Sequence, residues 1–266
     1  MGRKRKHIIN DDYFNIIDSD KQAYVLGFLY ADGSISNNGF SIIIHKRDIQ
    51  ILEFIKDELK TDYLIKPHTN DYIRFQIVSR KIRKKLIDVG IVPNKTYESK
   101  NLPLLSNQRL YNSMLCGFFD GDGSISSSKY KNRSEEYTAS FTGNIWVLTE
   151  IKEYLLYNNI SSSKIRYRTP SNYSCQLEVR GSNNLKKLYH LLYDNNVIYS
   201  RKFNKFNEFL NNHKLLKQRF SPDIVNEIKN NYLNGLKQYE IGLKMNIPKS
   251  SIRCVIQRLR KQQLIF

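Results

Sequence analysis

Two apolar runs in the chain read almost alike. Tyr24 to Ser36, "YVLGFLYADGSIS", and Met114 to Ser126, "MLCGFFDGDGSIS", each have the length and texture of a buried helix that stops at an acid followed by glycine, and Asp122 follows Asp32 by 90 residues. What comes after each run alternates in the same order. The first is followed by strand-like "FSIIIHK", then "RDIQILEFIKDEL" with Ile51, Leu52, Ile55 and Leu59 on one helical face, then strand "YIRFQIVS" and helix "RKIRKKLIDVG". The second is followed by "EYTASFTG", helix "NIWVLTEIKEYLLYN", strands "KIRYRT" and "YSCQLEVR", and helix "NNLKKLYHLLY". Each half is predicted as helix, strand pair, helix, strand pair, helix, an α+β architecture written twice with a pseudo-twofold axis between the copies. Ile91 to Ser106, with Pro93 and Pro103, joins them. Beyond Gln218 the spacing turns wholly helical, with Ser221 and Pro222 as a start signal and Gly235 as a stop. The predicted organisation is a basic segment 1–20, a first half with linker 21–106, a second half 107–216, and a small all-α domain 217–266.

Small residues recur at every fourth position of both apolar helices: Ala23, Gly27 and Ala31 in the first, Ser113, Gly117 and Gly121 in the second. Glycine inside a helix costs about 0.5–1 kcal/mol relative to alanine, a penalty tolerated where two backbones must approach closely. The two helices are therefore expected to pack on each other through Gly27, Ala31, Gly117 and Gly121. Side by side, they bring Asp32 and Asp122 together at their C-terminal ends, and Gly33 and Gly123 are expected to close them in the left-handed conformation. Two carboxylates there repel each other and the helix dipoles, a conflict that a divalent cation resolves. Mg²⁺, commonly held by one or two carboxylates with water and phosphate oxygens, or Mn²⁺, suits such a site. An EF-hand around Asp120, Asp122 and Ser124 is excluded, because Ile125 and Lys131 stand where that loop needs glycine and glutamate.

The strands alternate. Lys164, Arg166 and Arg168 oppose Ile165 and Tyr167; Ser174, Gln176, Glu178 and Arg180 oppose Tyr173, Cys175, Leu177 and Val179; Arg74 and Gln76 oppose Ile73, Phe75 and Ile77. One face is predicted as core and the other as hydrogen-bonding, and Arg and Gln are the side chains that read guanine and adenine edges in a major groove, which admits a β-ribbon. A solvated outer sheet face would alternate in the same way. The last domain resembles a helix-turn-helix, with helices Pro222 to Leu233, Gln238 to Met245 and Lys249 to Arg260, and a core of Ile241, Ile247, Ile252 and Ile256. Its recognition helix offers Lys249, Ser250, Ser251 and Arg253 to bases or phosphates.

Composition sharpens the partner. Lys and Arg number 43 against 25 Asp and Glu, a formal charge of +18 in 266 residues, which points to a polyanion. Three scattered cysteines without a C-x-x-C exclude a disulfide framework or zinc site. No segment approaches the roughly eighteen apolar residues of a membrane span, Lys6 stands where a myristoylation signal needs Ser or Thr, and an intracellular, cytoplasmic protein is expected. "GRKRK" at the start is a nuclear address or a phosphate-touching arm.

"VLGFLYADG" and "LCGFFDGDG" resemble the two motifs of single-chain LAGLIDADG homing endonucleases, a likeness that extends over Lys21 to Leu210. The resemblance implies a duplicated αββαββα fold whose antiparallel strands form a saddle over DNA, and a site-specific, metal-dependent endonuclease in which Asp32 and Asp122 bind the metals. Ala31 and Gly121 sit beside them at that site. It further implies basic residues near the attacking water and the scissile phosphate, matched by Lys95 in "VPNKTY" and Lys202 in "YSRKFNKF", and a polar group closing the second strand, matched by His45 but in the second half only by Gly143 or Asn144. Asp120 matches an acid often seen earlier in the motif, where the first copy has Tyr30. The expected partner is double-stranded DNA with a long, mostly asymmetric target, bound by a monomer acting as a pseudo-dimer. An inactive DNA-binding regulator and an intron RNA maturase on the same scaffold are the rival readings.

Overall fold

Ser19 starts the first motif helix. Its hydroxyl accepts the Gln22 N–H at 3.3 Å while the Gln22 side chain accepts the Ser19 N–H at 3.2 Å, a reciprocal cap that sets the first turn of α1 (Asp20–Asp32). The second motif helix, α4 (Gln108–Asp122), is capped by Asn107, whose side chain accepts from Leu110 N. Every residue of α1 from Ala23 to Ala31 is buried, as suits a helix apolar all round. These elements come from a computed structural model, which describes residues 7–94, 101–128, 136–168, 174–195, 198, 200–215 and 220–261.

The chain forms two units, residues 1–211 and 212–266. In the first unit, α1 runs into β1 (Gly33–Ser36), followed by β2 (Gly39–His45), a 3-10 turn, α2 (Ile49–Glu58), β3 (Ile65–Pro67), β4 (Tyr72–Val78) and α3 (Arg80–Asp88). After α4 the series recurs as β5 (Gly123–Ser128), β6 (Glu136–Gly143), α5 (Ile145–Tyr157), β7 (Arg166–Tyr167), β8 (Cys175–Arg180) and α6 (Ser182–Tyr193), extended by α7 (Arg201–Leu215). Both sheets are antiparallel and share one strand order, β1-β2-β4-β3 and β5-β6-β8-β7. Ile51, Leu52, Ile55 and Leu59 are buried as their spacing predicts, in one core with Phe75, Ile77, Leu177 and Val179. No helix among the described residues is long and apolar enough to cross a membrane.

The two motif helices meet through their glycines. A Cβ on Gly27 would stand 1.9 Å from the Met114 carbonyl oxygen, and one on Gly117 would stand 2.0 Å from that of Tyr24. Each glycine thus receives the carbonyl three residues before its counterpart, a reciprocity that marks a local twofold relation. At the N-terminal ends the contact is polar: the Arg109 guanidinium bonds the Asp20 carboxylate, which also accepts from the Ser113 hydroxyl at 2.9 Å.

Two expectations need correction here. Gly33 and Gly123 are extended (φ −76° and −89°), because each helix passes straight into a strand and no reversal is needed. Glycine is required for space instead: a Cβ would meet the Leu29 carbonyl oxygen at 2.4 Å in one copy and the Phe119 ring at 2.3 Å in the other. The strand expected over "KIRYRT" shrinks to Arg166–Tyr167, and Tyr167 is exposed, since it lies on an edge strand with little sheet beyond it to cover the ring.

The second unit holds α8 (Pro222–Leu233), α9 (Gln238–Lys244) and α10 (Lys249–Lys261) around a small core of Ile228, Ile241, Ile252, Val255, Ile256 and Leu259. Ile247 packs against that core from its edge.

The glycine contact gives a stability prediction. Gly117→Ala gains about 0.5–1 kcal/mol of helix propensity but must separate two packed backbones, and overpacking of that kind costs about 3 kcal/mol. The substitution should lower the urea midpoint with an unchanged denaturant slope; a midpoint at or above wild type would show that the helices do not need this approach.

Candidate functional site

Asp32 and Asp122 are the last residues of α1 and α4. The helix contact continues to these ends: a Cβ on Gly121 would lie 2.4 Å from the Ala31 Cβ and 3.2 Å from Asp32 Oδ2. Ala31, Asp32 and Gly121 are therefore in contact, with Asp122 next in the chain, and the charges of both acids act on Lys202. Asp32 and Gly121 line a cavity of about 430 Å³ together with His45 and Lys202. Ile43 and Ser124, from the outward faces of β2 and β5, line it too. Buried Phe28, Ile44 and Ile125 line it as well, so the cavity draws on both halves and on both faces of the sheets.

Lys202 enters this cluster in an unexpected way. It is buried, and its ammonium donates to three carbonyl oxygens in succession, Phe119 at 2.9 Å, Asp120 at 2.6 Å and Gly121 at 2.7 Å. The Phe119 oxygen also accepts the Gly123 N–H that closes α4, and the side chain sits over this helix end as a cationic cap. Burial pushes the Lys202 pKa below the ordinary lysine range, against the opposing pull of Asp120, Asp32 and Asp122. An ammonium has three donors, and here all three are taken up by main chain.

His45 closes β2, and its Nδ1 accepts from Arg47 N at 3.2 Å, which leaves the ring proton on Nε2. In the second half Gly143 only fits beside Leu148 and Phe118, and the Asn144 side chain caps α5 by accepting from Val147 N. Lys95 and the "GRKRK" arm lie outside the described residues.

Sequence reasoning missed Arg201 at the cavity and, although it noted Asp120 in the motif, missed what that acid bonds to. Arg201 donates to Asp48 at 3.1 Å, tying the start of α7 to the first half. Asp120 is fully buried and accepts from the hydroxyls of Tyr24, Ser200 and Tyr193 at 2.8, 2.8 and 3.1 Å. Burial raises its pKa, while Ser200, Lys202 and the two tyrosines oppose the shift. The available signal was a lone acid in an otherwise apolar run, three residues after an interface glycine.

The outward faces of the sheets carry the polar residues that alternation assigns to them. Arg74 pairs across to Ile43 and Lys66, with Gln76 opposite Ser41. The Nε of Arg74 is buried with no hydrogen-bond partner among the described residues. In the second sheet Gln176 lies opposite Thr142 and Arg166, and Arg180 opposite Thr138. Glu178, whose side chain is only 12% exposed, sits 2.7 Å from the exposed Arg180 and 3.9 Å from the exposed Arg166. Lys164 and Arg168 are exposed beside the short β7. In α10, Lys249, Ser250 and Arg253 are exposed, but Ser251 is buried and its hydroxyl is unpaired among the described residues. Ser251 cannot reach a base or phosphate, because it lies on the helix face that packs into the core with Ile252 and Val255.

Comparison with known proteins bears on this geometry. Residues 115–213 match the family described as LAGLIDADG endonuclease. No curated protein matches the chain. Among solved structures, the meganuclease I-SmaMI bound to uncleaveable DNA is similar over 77% of this chain and 95% of its own, with 15% identity and a TM-score of 0.56. The I-LtrWI LAGLIDADG homing endonuclease bound to target DNA is similar over 79% and 92%, with 15% identity and a TM-score of 0.54. I-SmaMI bound to an uncleaved DNA target in the presence of calcium ions is similar over 78% and 96%, with 16% identity and a TM-score of 0.52. The chain has the LAGLIDADG meganuclease fold, and the match to the LAGLIDADG endonuclease family falls within its second half.

Proposed function

We propose that the chain is a site-specific endonuclease that hydrolyses phosphodiester bonds of double-stranded DNA at a composite site between its two halves. The carrying observation is the meeting of Ala31 and Asp32 with Gly121, next to Asp122 in the chain, at a cavity lined from both halves. The charge of +18 supplies attraction for the duplex, and the DNA-bound relatives support the same partner. Arg74, Gln76, Lys164, Arg166, Arg168, Gln176 and Arg180 are the proposed contacts of the saddle, with arginine and glutamine reading base edges. The two faces differ in side chains, so a single chain suits a long target without full palindromic symmetry.

The donor set fits a hard divalent cation. Asp32 and Asp122 would hold it, with Ala31 and Gly121 adjoining, and no third histidine, cysteine or acid completes a cage among the described residues, which leaves coordination positions for water and phosphate. The calcium present in one relative's DNA complex supports a divalent ion; Mg²⁺ or Mn²⁺ is the proposed working metal. Once bound, it supplies an activated water and neutralises charge at the scissile phosphate. The residues of the chain do the rest. His45, with its proton on Nε2, faces the cavity as a donor to the water network. Lys202 keeps positive charge beside the two acids from its seat on the end of α4 and so offsets charge that develops in the transition state. Lys95 is the counterpart in the first half.

Asp32→Asn or Asp122→Asn should abolish cleavage and leave DNA affinity largely intact, as read by plasmid nicking with Mg²⁺ alongside gel-shift titration. Unaltered cutting by either variant removes the mechanism.

The second unit is proposed as a helix-turn-helix that extends the contact, with Lys249, Ser250 and Arg253 towards the duplex. Deleting Arg219 to Phe266 should weaken binding and shrink the nuclease-protection footprint without loss of nicking at high protein concentration. An unchanged footprint would deny the tail a role on DNA.

A further inference from the structure

Among the described residues only two charged side chains are buried, Asp120 and Lys202, and they belong to one ring. The Asp120 carboxylate accepts from the Ser200 hydroxyl; two residues later the chain reaches Lys202, whose ammonium returns to the Asp120 carbonyl oxygen at 2.6 Å. The same carboxylate holds Tyr24 of α1 and Tyr193 of α6. Ser200 also accepts from Phe203 N at 3.1 Å and so caps α7, while Arg201, between the two ring members, is tied to Asp48. Three consecutive residues are thereby tied down, Ser200 and Lys202 to α4 and Arg201 to Asp48 at the start of α2. A carboxylate buried in the last turn of an apolar helix is costly unless it is fully bonded, and nothing in packing alone asks for it: Tyr30 fills the matching place in the first copy, with its hydroxyl on the Asn101 carbonyl at 2.9 Å.

We infer that Asp120 is a positioning residue, which through Ser200 and Tyr193 seats the Lys202 ammonium on the end of α4 beside Asp32 and Asp122. The inference rests on the endonuclease reading for its effect on rate. It does not rest on it for the seating itself. Asp120 lines the cavity, but both of its carboxylate oxygens are engaged by the hydroxyls of Tyr24, Ser200 and Tyr193, so its removal acts on the chemical step by letting Lys202 move.

The test is a double-mutant cycle in the full chain. Asp120→Ala should lower the single-turnover nicking rate at saturating protein by at least about tenfold, with DNA affinity unchanged. In a Lys202→Ala background it should lower the rate no further. An unaffected rate, or the same factor lost in both backgrounds, overturns the proposal, because a merely structural role would add to the loss of Lys202. Should Asp120→Ala not fold, Tyr193→Phe combined with Ser200→Ala is read in the same cycle, with a smaller loss that again vanishes when Lys202 is absent. Lysine ammonium NMR reads the seating without cleavage. Lys202, identified by the signal lost in Lys202→Ala, should exchange slowly with water in the wild type and lose that protection in Asp120→Ala or in the double variant. Retained protection in those variants overturns the inference even if the wild type cuts DNA. Lost protection in a chain that cuts no duplex sustains the seating and removes the endonuclease reading instead.

Discussion

The approach of two helix backbones at Gly27 and Gly117 is the constraint from which the rest follows. Each glycine leaves room for a carbonyl oxygen of the opposite helix, and side chains of any size there would hold α1 and α4 apart. The helix contact in turn brings the acids at both C-terminal ends into one cluster. It also sets the two sheets side by side, since β1 and β5 begin where the helices end. The intrinsic penalty for glycine in a helix, about 0.5–1 kcal/mol at each position, is small beside the apolar area that two fully packed helices bury.

An acid at a helix C-terminus faces the negative end of the dipole. The protein itself answers part of that cost. Lys202 places an ammonium on three carbonyls at the end of α4, the side where Asp122 stands. A resident cation of the chain and a divalent ion bound between the acids therefore address the same electrostatic conflict from two directions. The first is fixed by folding, and the second is left to a cavity lined by both halves.

Periodicity made the repeated architecture legible. The apolar runs, the alternation in β4 and β8 and the buried stripe of α2 are local patterns, and local patterns survive in one dimension. Gly27 and Gly117 were legible for the same reason, through recurrence at every fourth residue. The contacts of the groups around the acids were not, although the motif resemblance had singled out Lys202 and His45. Lys202 meets carbonyls 81 to 83 residues away, and Arg201 meets Asp48 across 153; such pairs leave no periodic trace, and Lys202 seen alone resembles any surface lysine. Tyr167 and Ser251 failed for a different reason. Alternation and helical spacing give the direction of a side chain, whereas its exposure depends on whether another element covers that direction, as none covers Tyr167 at a sheet edge and as the core of the second unit covers Ser251.

The seamless passage from α1 into β1 and from α4 into β5 makes the protein a gauge. With Gly33 and Gly123 already extended, no hinge separates either acid from the strand beside it, and the depth of each carboxylate below its sheet is fixed by peptide geometry at about 3.3 Å per residue. One residue inserted at such a joint would turn the strand over and exchange its outward serines for its inward isoleucine. Length variation is thus barred at these two joints, and the halves are free to drift apart in side chains while the spacing between reading surface and reactive centre stays the same in both.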